Sequence, residues 1–294
     1  MSRRPSTLEV WRAAIRPATL WAGAVPVFVG TGLAVANERG AWGPASAALL
    51  GALLIQIGTN LVNDWADFRR GADGPDRLGP ARAAAQGWLT PAQVAMGAAV
   101  ALSGAALVGA YLVAVGGWPI LALGVASLAC AVGYTAGPLP LAYVGLGDAF
   151  VLLFFGVAAV VGTYFVQTGG VSGSSLVAAV AVGALATAIL VVNNLRDRVS
   201  DARVGKRTLA VRFGARFTRA EYVALVAGAY VVVATAALTG AGVGWWLPWL
   251  SLPLAARTTR AVLQTDGAAL NPLLAATARL ELVFGLLLTA GVLL

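Results

Sequence analysis

The chain has 294 residues, 59% of them hydrophobic and only 11% charged, with a mean hydropathy of +0.83. Soluble domains carry about 25% charged residues, so this is the composition of a multi-pass membrane protein. With no histidine, one lysine (Lys206) and one cysteine (Cys130), imidazole bases, His- or Cys-based metal sites and disulfide frameworks are excluded; the net charge of +8 reads as membrane topology, not nucleic-acid binding.

The opening segment, MSRRPSTLEVWRAAIRP, mixes Arg with Trp11 ahead of a span-length apolar run. That pattern predicts a short interfacial helix on the cytoplasmic surface over 1–16, not a cleaved signal. Apolar runs long enough to cross a bilayer, about 17–25 residues, follow at 17–36, 44–63, 92–114, 118–135, 146–168, 173–195, 220–240, 244–261 and 273–293. The expectation is an all-α membrane protein of nine transmembrane helices, one domain over 1–294, with cytoplasmic loops at 64–91 and 196–219. Breakers such as GGWP, TGGVSG and TGAGVG separate the runs. In a nine-span arrangement every Lys and Arg except Arg39 falls on one side of the membrane. That asymmetry puts the N-terminus in the cytoplasm and the C-terminus outside.

The acids are as unevenly placed. Between Arg82 and Arg196 the single charged residue is Asp148, whereas Asp64, Asp67, Asp73 and Asp76 end the second run and Asp197 and Asp201 end the sixth. Asn60, Asn63, Asp64 and Asp67 are spaced i, i+3, i+4, i+7, one face of a helix. Asn194, Asp197 and Asp201 repeat that face about 134 residues later, which suggests a duplicated four-helix unit with a ninth helix appended. Carboxylates at membrane depth are costly and mark function. Two facing sets repel unless cations lie between them, and Mg²⁺, held by oxygen ligands and shared with substrate phosphates, suits the place. Arg69, Arg70, Arg77, Arg82, Arg196, Arg198, Arg203, Lys206 and Arg207, interleaved with the acids, are what phosphate oxygens recognise. The competing reading is a solvated helix end with snorkelling side chains, and it weakens once two matched clusters are seen. Acid and Arg beside an apolar bundle read together as a Mg²⁺–diphosphate site next to a lipid tail.

NDWAD followed by Asp73, paired with RDRVSD, resembles the two aspartate-rich motifs of the UbiA superfamily of intramembrane prenyltransferases. The blocks QIGTNLVNDWADFRRGAD, GYTAGPLPLAYVGLGDAFVLLFFG, NNLRDRVSDARVGKRTLAVRFG and LNPLLAATARLELVFGLLL, after the opening WRAAIRPATLWAGAVPVFVGTGLA, narrow the likeness to the menaquinone branch, the 1,4-dihydroxy-2-naphthoate polyprenyltransferases. The likeness runs end to end. Gly71 stands where the wider superfamily has an Asp, with Asp73 shifted by two, as in the menaquinone branch; Trp65 replaces that branch's usual Tyr.

The resemblance implies that Asn63, Asp67, Asp73, Asp197 and Asp201 hold Mg²⁺ on a polyprenyl diphosphate, with Asp64 ligating or orienting ligands. It implies that Arg82, Arg196, Lys206 and Arg207 clamp the diphosphate. Asn60 and Asn194 would bond ligands or buried backbone, the alternative being helix–helix contact. Tyr134 would lie near the reacting allylic carbon or the aromatic acceptor, with an interfacial aromatic as its alternative. Asp148 would orient its loop or contact the acceptor. The implied reaction is prenylation of 1,4-dihydroxy-2-naphthoate with loss of diphosphate and CO₂ to give a demethylmenaquinone, at the cytoplasmic face of the cell membrane. Rivals are another acceptor such as 4-hydroxybenzoate, a transporter, and a CDP-alcohol phosphotransferase.

Overall fold

A computed structural model describes residues 5–74 and 77–294. Arg3, Arg4 and Asp76, counted above among the cytoplasmic charges, lie outside the described residues. Helix α1 (Thr7–Ile15) starts on a capping box, with Ser6 and Glu9 satisfying each other's backbone donors. It leads into α2 (Pro17–Ala36), α3 (Trp42–Arg69) and α4 (Pro91–Gly133). Helix α5 (Gly147–Val151) runs through a π-helical stretch, Leu152–Val161, into α6 (Gly162–Thr168). Then come α7 (Gly173–Arg203), α8 (Leu209–Ala236), a 3₁₀ segment (Val243–Ser251) that feeds α9 (Leu252–Gln264), and α10 (Asn271–Val292). No strand occurs among the described residues. Seven helical stretches there are long and apolar enough to cross a membrane.

One expectation changes. Helices α3 and α7 run beyond the expected ends at 63 and 195, to Arg69 and Arg203. Asp64, Asp67, Arg196, Asp197 and Asp201 therefore ride on helices, not in the loops expected at 64–91 and 196–219, and α8 takes up 209–219 as well. The reason is that the polar spacing of both motifs is itself helical, so the backbone ladder continues until a residue breaks it: Gly71 with φ 68° after α3 and Gly205 with φ 77° after α7. The runs expected at 92–114 and 118–135 are both helical and together make up α4. It is broken at Gly117, whose φ of 69° and ψ of −157° are open to glycine alone. The segment leading into α4 is tied to Asp64, and the residues just past its end are tied to Asn63. Both ends of α4 thus lie at the same end of the bundle, and Gly117 is where the chain turns back.

The interior is built around α7, whose inner face is small and aliphatic: Ala178, Ala181, Val182, Leu185, Ala188 and Val191 are all inaccessible. Helices in lipid gain little from burying apolar area and associate instead through close packing of small residues. Gly183 shows the consequence: a Cβ there would lie 2.7 Å from the Leu152 carbonyl oxygen of the π-helical stretch. The outer surface is bulky and apolar, with Val100, Leu107, Leu121 and Leu250 all more than half exposed, as a lipid-facing surface requires.

At the polar end, four connections are laced together. Arg70 donates to the carbonyls of Thr135 and Gly137. The Arg207 amide donates to the Tyr143 carbonyl (2.8 Å). Asn271 donates to the Leu78 carbonyl (2.8 Å), and Arg219 pairs with Asp266 (2.8 Å). The segments after α3, α4, α7 and α9 thereby make one polar cap over the bundle, and both acidic motifs lie beneath it.

Candidate active site

The first motif lines the last turns of α3. Asp67 is 3% exposed and has three partners: Arg82 Nη2 at 3.1 Å on one oxygen, and on the other the Tyr143 hydroxyl at 2.9 Å and Lys206 Nζ at 3.5 Å. The Asp73 side chain, 1% exposed, accepts from Arg77 at 2.6 Å and lies 3.5 Å from Arg82 Nε. Asp64 accepts from the Ala83 amide (3.1 Å), which draws the returning chain against α3. The second motif lines the last turns of α7. Arg196 clasps both oxygens of the adjacent Asp197 (2.8 and 2.6 Å) and bonds Asn193 (2.7 Å) and Asn271 on α10 (2.9 Å). Lys206, just past the helix, lies 3.6 Å from Asp201. Its ammonium therefore touches Asp67 of one motif and Asp201 of the other, and that contact joins the two halves.

The predicted residues sort as follows. Asp67, Asp73, Arg82, Asp197, Asp201 and Lys206 converge in one polar cluster. Asn63 is at its edge, accepting from the Thr135 hydroxyl. Asn60 does not face it: its amide donates to the Ile15 carbonyl (2.9 Å) and to Thr19 (3.1 Å), holding the joint between α1 and α2. Asn194 is buried on α7. Arg196, expected as a diphosphate clamp, has its guanidinium committed to Asp197, Asn193 and Asn271. Arg207, expected in the same role, is exposed, and its backbone, not its guanidinium, makes the bond to Tyr143. Tyr134 follows the end of α4 with its hydroxyl against Gly147, where a Cβ would sit 2.9 Å from it. That contact sets Tyr134 beside Asp148, which is 7% exposed with Oδ1 unbonded.

Two residues absent from the expected site are part of it. Tyr143 bonds Asp67 and lies under two cations, Arg70 at 4.7 Å and Lys206 at 4.9 Å from its ring. Burial, and then the Asp67 charge, push its hydroxyl well above the ordinary phenol range, so it donates and does not ionise. Its signal was within reach: a Tyr in a cytoplasmic connection that lacks Arg. Arg77 was noted only as one of several interleaved cations. Burial alone would lower the Arg82 guanidinium, but Asp67, Asp73 and Asp64 outweigh it and hold Arg82 above its ordinary value. Arg82 is thus a fixed cation.

Among the described residues, no three acid side chains already converge as a closed cation cage. The donor set nonetheless fits Mg²⁺, which binds through one or two carboxylates and completes its shell with water and substrate phosphate. The Asp64 Oδ1 and Asp73 Oδ2 atoms are buried with no hydrogen-bond partner among the described residues, as are Nε and Nη1 of Arg82. Buried polar atoms are rarely left unpaired. Here acceptors that suit a hard cation lie beside donors that suit an anion.

The sequence and the fold both have relatives. The chain is 36% identical to the 1,4-dihydroxy-2-naphthoate octaprenyltransferase of Escherichia coli (strain K12), over 98% of this chain and 96% of that protein. It is 41% identical to the enzyme of the same name from Mycobacterium tuberculosis, over 76% of each. The fold matches the solved structure of a UbiA homolog from Archaeoglobus fulgidus bound to GPP and Mg²⁺, at TM-score 0.65 and 16% identity, covering 96% of this chain and 99% of that one. It also matches the apo structure of a UbiA homolog from Aeropyrum pernix K1, at TM-score 0.71 and 16% identity, covering 93% and 96%. The UbiA prenyltransferase family profile spans residues 24–288, and the chain belongs to that family.

Proposed function

We propose that the protein transfers a polyprenyl group from polyprenyl diphosphate to 1,4-dihydroxy-2-naphthoate, releasing diphosphate and CO₂, in menaquinone biosynthesis. The observation that carries this reading is the contact of Lys206 with both Asp67 and Asp201, which makes one site of two motifs. The relatives named for this reaction, aligned along nearly the whole chain, support the acceptor.

Asp67, Asp73, Asp197 and Asp201, with Asn63 and Asp64, would hold Mg²⁺, which when bound offsets the charge of a diphosphate leaving group. The chain's own part follows from its geometry. Arg82 and Lys206, set among the acids of both motifs, would bind the diphosphate oxygens and stabilise negative charge as it grows there. The allylic C–O bond breaks with its electron pair going to diphosphate. The electron-rich ring carbon bearing the carboxylate attacks the allylic carbon. That ring carbon then loses CO₂, and the freed pair restores aromaticity, so no base is needed; the absence of histidine is no obstacle. Tyr134 lies beneath the cap, where its ring can face the allylic cation. The laced cap and the apolar bundle keep out water that would quench that cation.

Nine crossings, with the N-terminus cytoplasmic and the C-terminus outside, fit this assignment. The turn-backs at Gly117 and at Gly240–Gly242 support the count, and the basic residues support the orientation. The active site would then face the cytoplasm, where a soluble naphthoate arrives. The deciding assay offers membranes containing the protein Mg²⁺, a polyprenyl diphosphate, and dihydroxynaphthoate and 4-hydroxybenzoate in competition. Prenylated naphthalene should dominate; turnover of 4-hydroxybenzoate alone would overturn the assignment.

A further inference from the structure

Asp148 lies outside both acidic motifs, in the first turn of α5, and the chemistry described so far does not use it. An acid at the start of a helix is ordinary, because that end carries partial positive charge. Such an acid keeps its oxygens in water or on backbone amides. Asp148 does so only in part. It is 7% exposed, its own backbone amide is its one polar partner among the described residues, and Oδ1 is buried without a hydrogen bond. No cation pairs with it there. Glu221 of α8, which lies within range of its charge, is another acid. A buried acceptor without a donor is costly, so the position wants a donor from elsewhere.

Its surroundings are firmly placed. The connection before α5 is pinned twice: the Arg207 amide donates to the Tyr143 carbonyl, and the Arg212 guanidinium donates to the Val144 carbonyl (2.8 Å each). Gly147, next to Asp148, leaves room for no side chain. A Cβ there would lie 2.9 Å from the Tyr134 hydroxyl and 3.4 Å from Leu190 Cδ2. The Tyr134 hydroxyl is itself without a hydrogen bond among the described residues. A donor without an acceptor and an acceptor without a donor therefore stand on either side of one glycine, and they are not bonded to each other. The group that satisfies both, accepting from Tyr134 and donating to Asp148, is a hydroxyl. The charges that act on Tyr134 are those of Asp148, Asp201 and Asp67, so the pair lies next to the acids of both motifs. Leu190 gives the depth: it is seven residues along α7 from Asp197, about 10 Å at 1.5 Å per residue.

We infer that Asp148 and the Tyr134 hydroxyl together hold a ring hydroxyl of the aromatic acceptor, and that Asp148 sets the requirement for that hydroxyl. The inference rests on the function proposed above, whose acceptor carries two hydroxyls across one ring. It gives the ring a fixed point on the side away from the diphosphate. A hydroxyl that donates to a carboxylate also keeps more electron density on its oxygen, and so on the ring that attacks the allylic carbon. Gly147 belongs to the arrangement because its missing side chain lets the Tyr134 hydroxyl approach.

The test measures binding of dihydroxynaphthoate by calorimetry, without polyprenyl diphosphate, to the full-length protein in nanodiscs. Wild type is compared with Asp148→Leu, Asp148→Asn and Tyr134→Phe, and KM for both substrates is read beside it. Asp148→Leu should weaken acceptor binding by about tenfold or more, as expected for loss of a charge-assisted bond, with KM for the donor unchanged. Asp148→Asn keeps an acceptor oxygen and should lose less; Tyr134→Phe should repeat the pattern from the other side. The deciding arm uses 1-hydroxy-2-naphthoate and 4-hydroxy-2-naphthoate, each lacking one hydroxyl. The analogue without the held hydroxyl should bind wild type about tenfold more weakly, and the Asp148 variants no more weakly than wild type; the other analogue should follow the parent acceptor. That cycle names the hydroxyl, and Asp148→Asn carries it if Asp148→Leu does not fold. Equal losses for all three ligands, or a fall in kcat with acceptor binding unchanged, overturn the inference and leave Asp148 as a helix-end acid. Wild-type protein that prenylates 4-hydroxybenzoate alone would sink the naphthoate, while the same cycle with 4-hydroxybenzoate against benzoate still reads the hydroxyl contact.

Discussion

The two acidic motifs look like repeats in sequence, yet the structure treats them differently. At the end of α7, Arg196 takes both oxygens of Asp197 and reaches on to Asn271, which in turn bonds the Leu78 carbonyl, so α7, α10 and the segment after α3 are pinned by one guanidinium and one amide. At the end of α3, Asp64 and Asp73 each keep a buried oxygen unbonded, and Arg82 keeps two unbonded nitrogens. One half is closed on itself and holds the bundle together; the other is open and asks for ligands. The two similar faces divide the tasks of scaffold and binding.

The largest effects should test that division directly. Asp67→Asn and Asp197→Asn should each lower kcat by about a hundredfold or more, since each removes charge that a cation needs in the transition state. Their stabilities should part. Asp67→Asn leaves Arg82 with Asp73 still 3.5 Å away, whereas Asp197→Asn strips a buried Arg196 of the one carboxylate it pairs with among the described residues. Thermal unfolding in detergent should therefore show the larger fall in Tm for Asp197→Asn; equal melting with equal loss of activity would erase the distinction. Arg196→Gln comes next. It leaves Asp197 buried and unpaired, which costs about 3 kcal/mol or more when one partner of a buried ion pair is removed. The expected result is a loss of stability at least as large as the effect on KM for the polyprenyl diphosphate. A variant of wild-type stability with a KM raised tenfold would return Arg196 to the diphosphate.

Much of this was legible in the chain. The acid and Asn spacing announced two helical faces, and Gly71 with the displaced Asp73 placed them in one branch of a family. What spacing could not give was who pairs with whom. Asn60 and Asn63 share a face by periodicity, but the roughly 60° and one turn between them are enough to send Asn60 to the α1–α2 joint while Asn63 meets Thr135. Arg196 and Arg82 read alike as cations beside acids; only the approach of α10 commits one of them. Helices α3 and α7 outrun their apolar runs because a helix can leave hydrocarbon and continue into a polar cap. Tyr143 is not legible from spacing because its partner, Asp67, is 76 residues away and met only through the return of α4 at Gly117.

The smallest effect asks where the open half gets its order. Tyr143 belongs to neither motif, but its hydroxyl bonds the oxygen of Asp67 that also faces Lys206. Its ring carries Arg70 and Lys206, so the aromatic face and the hydroxyl do separate work. Tyr143→Phe keeps the face and removes one hydrogen bond to a charged group, worth about 1.5–3 kcal/mol when such a bond is buried. Asp67 retains Arg82 and Lys206, so the loss in kcat should fall at the low end, about tenfold, with a small fall in Tm. Tyr143→Leu removes the face too, freeing Lys206 from one of its three supports, and should cost several-fold more. If Phe and Leu behave alike, the ring does not hold Lys206, and the bridge between the motifs rests on the two carboxylates alone. If Phe is as damaging as Asp67→Asn, the hydroxyl is more than a tether, and the connection after α4 belongs to the chemistry as much as the motifs do.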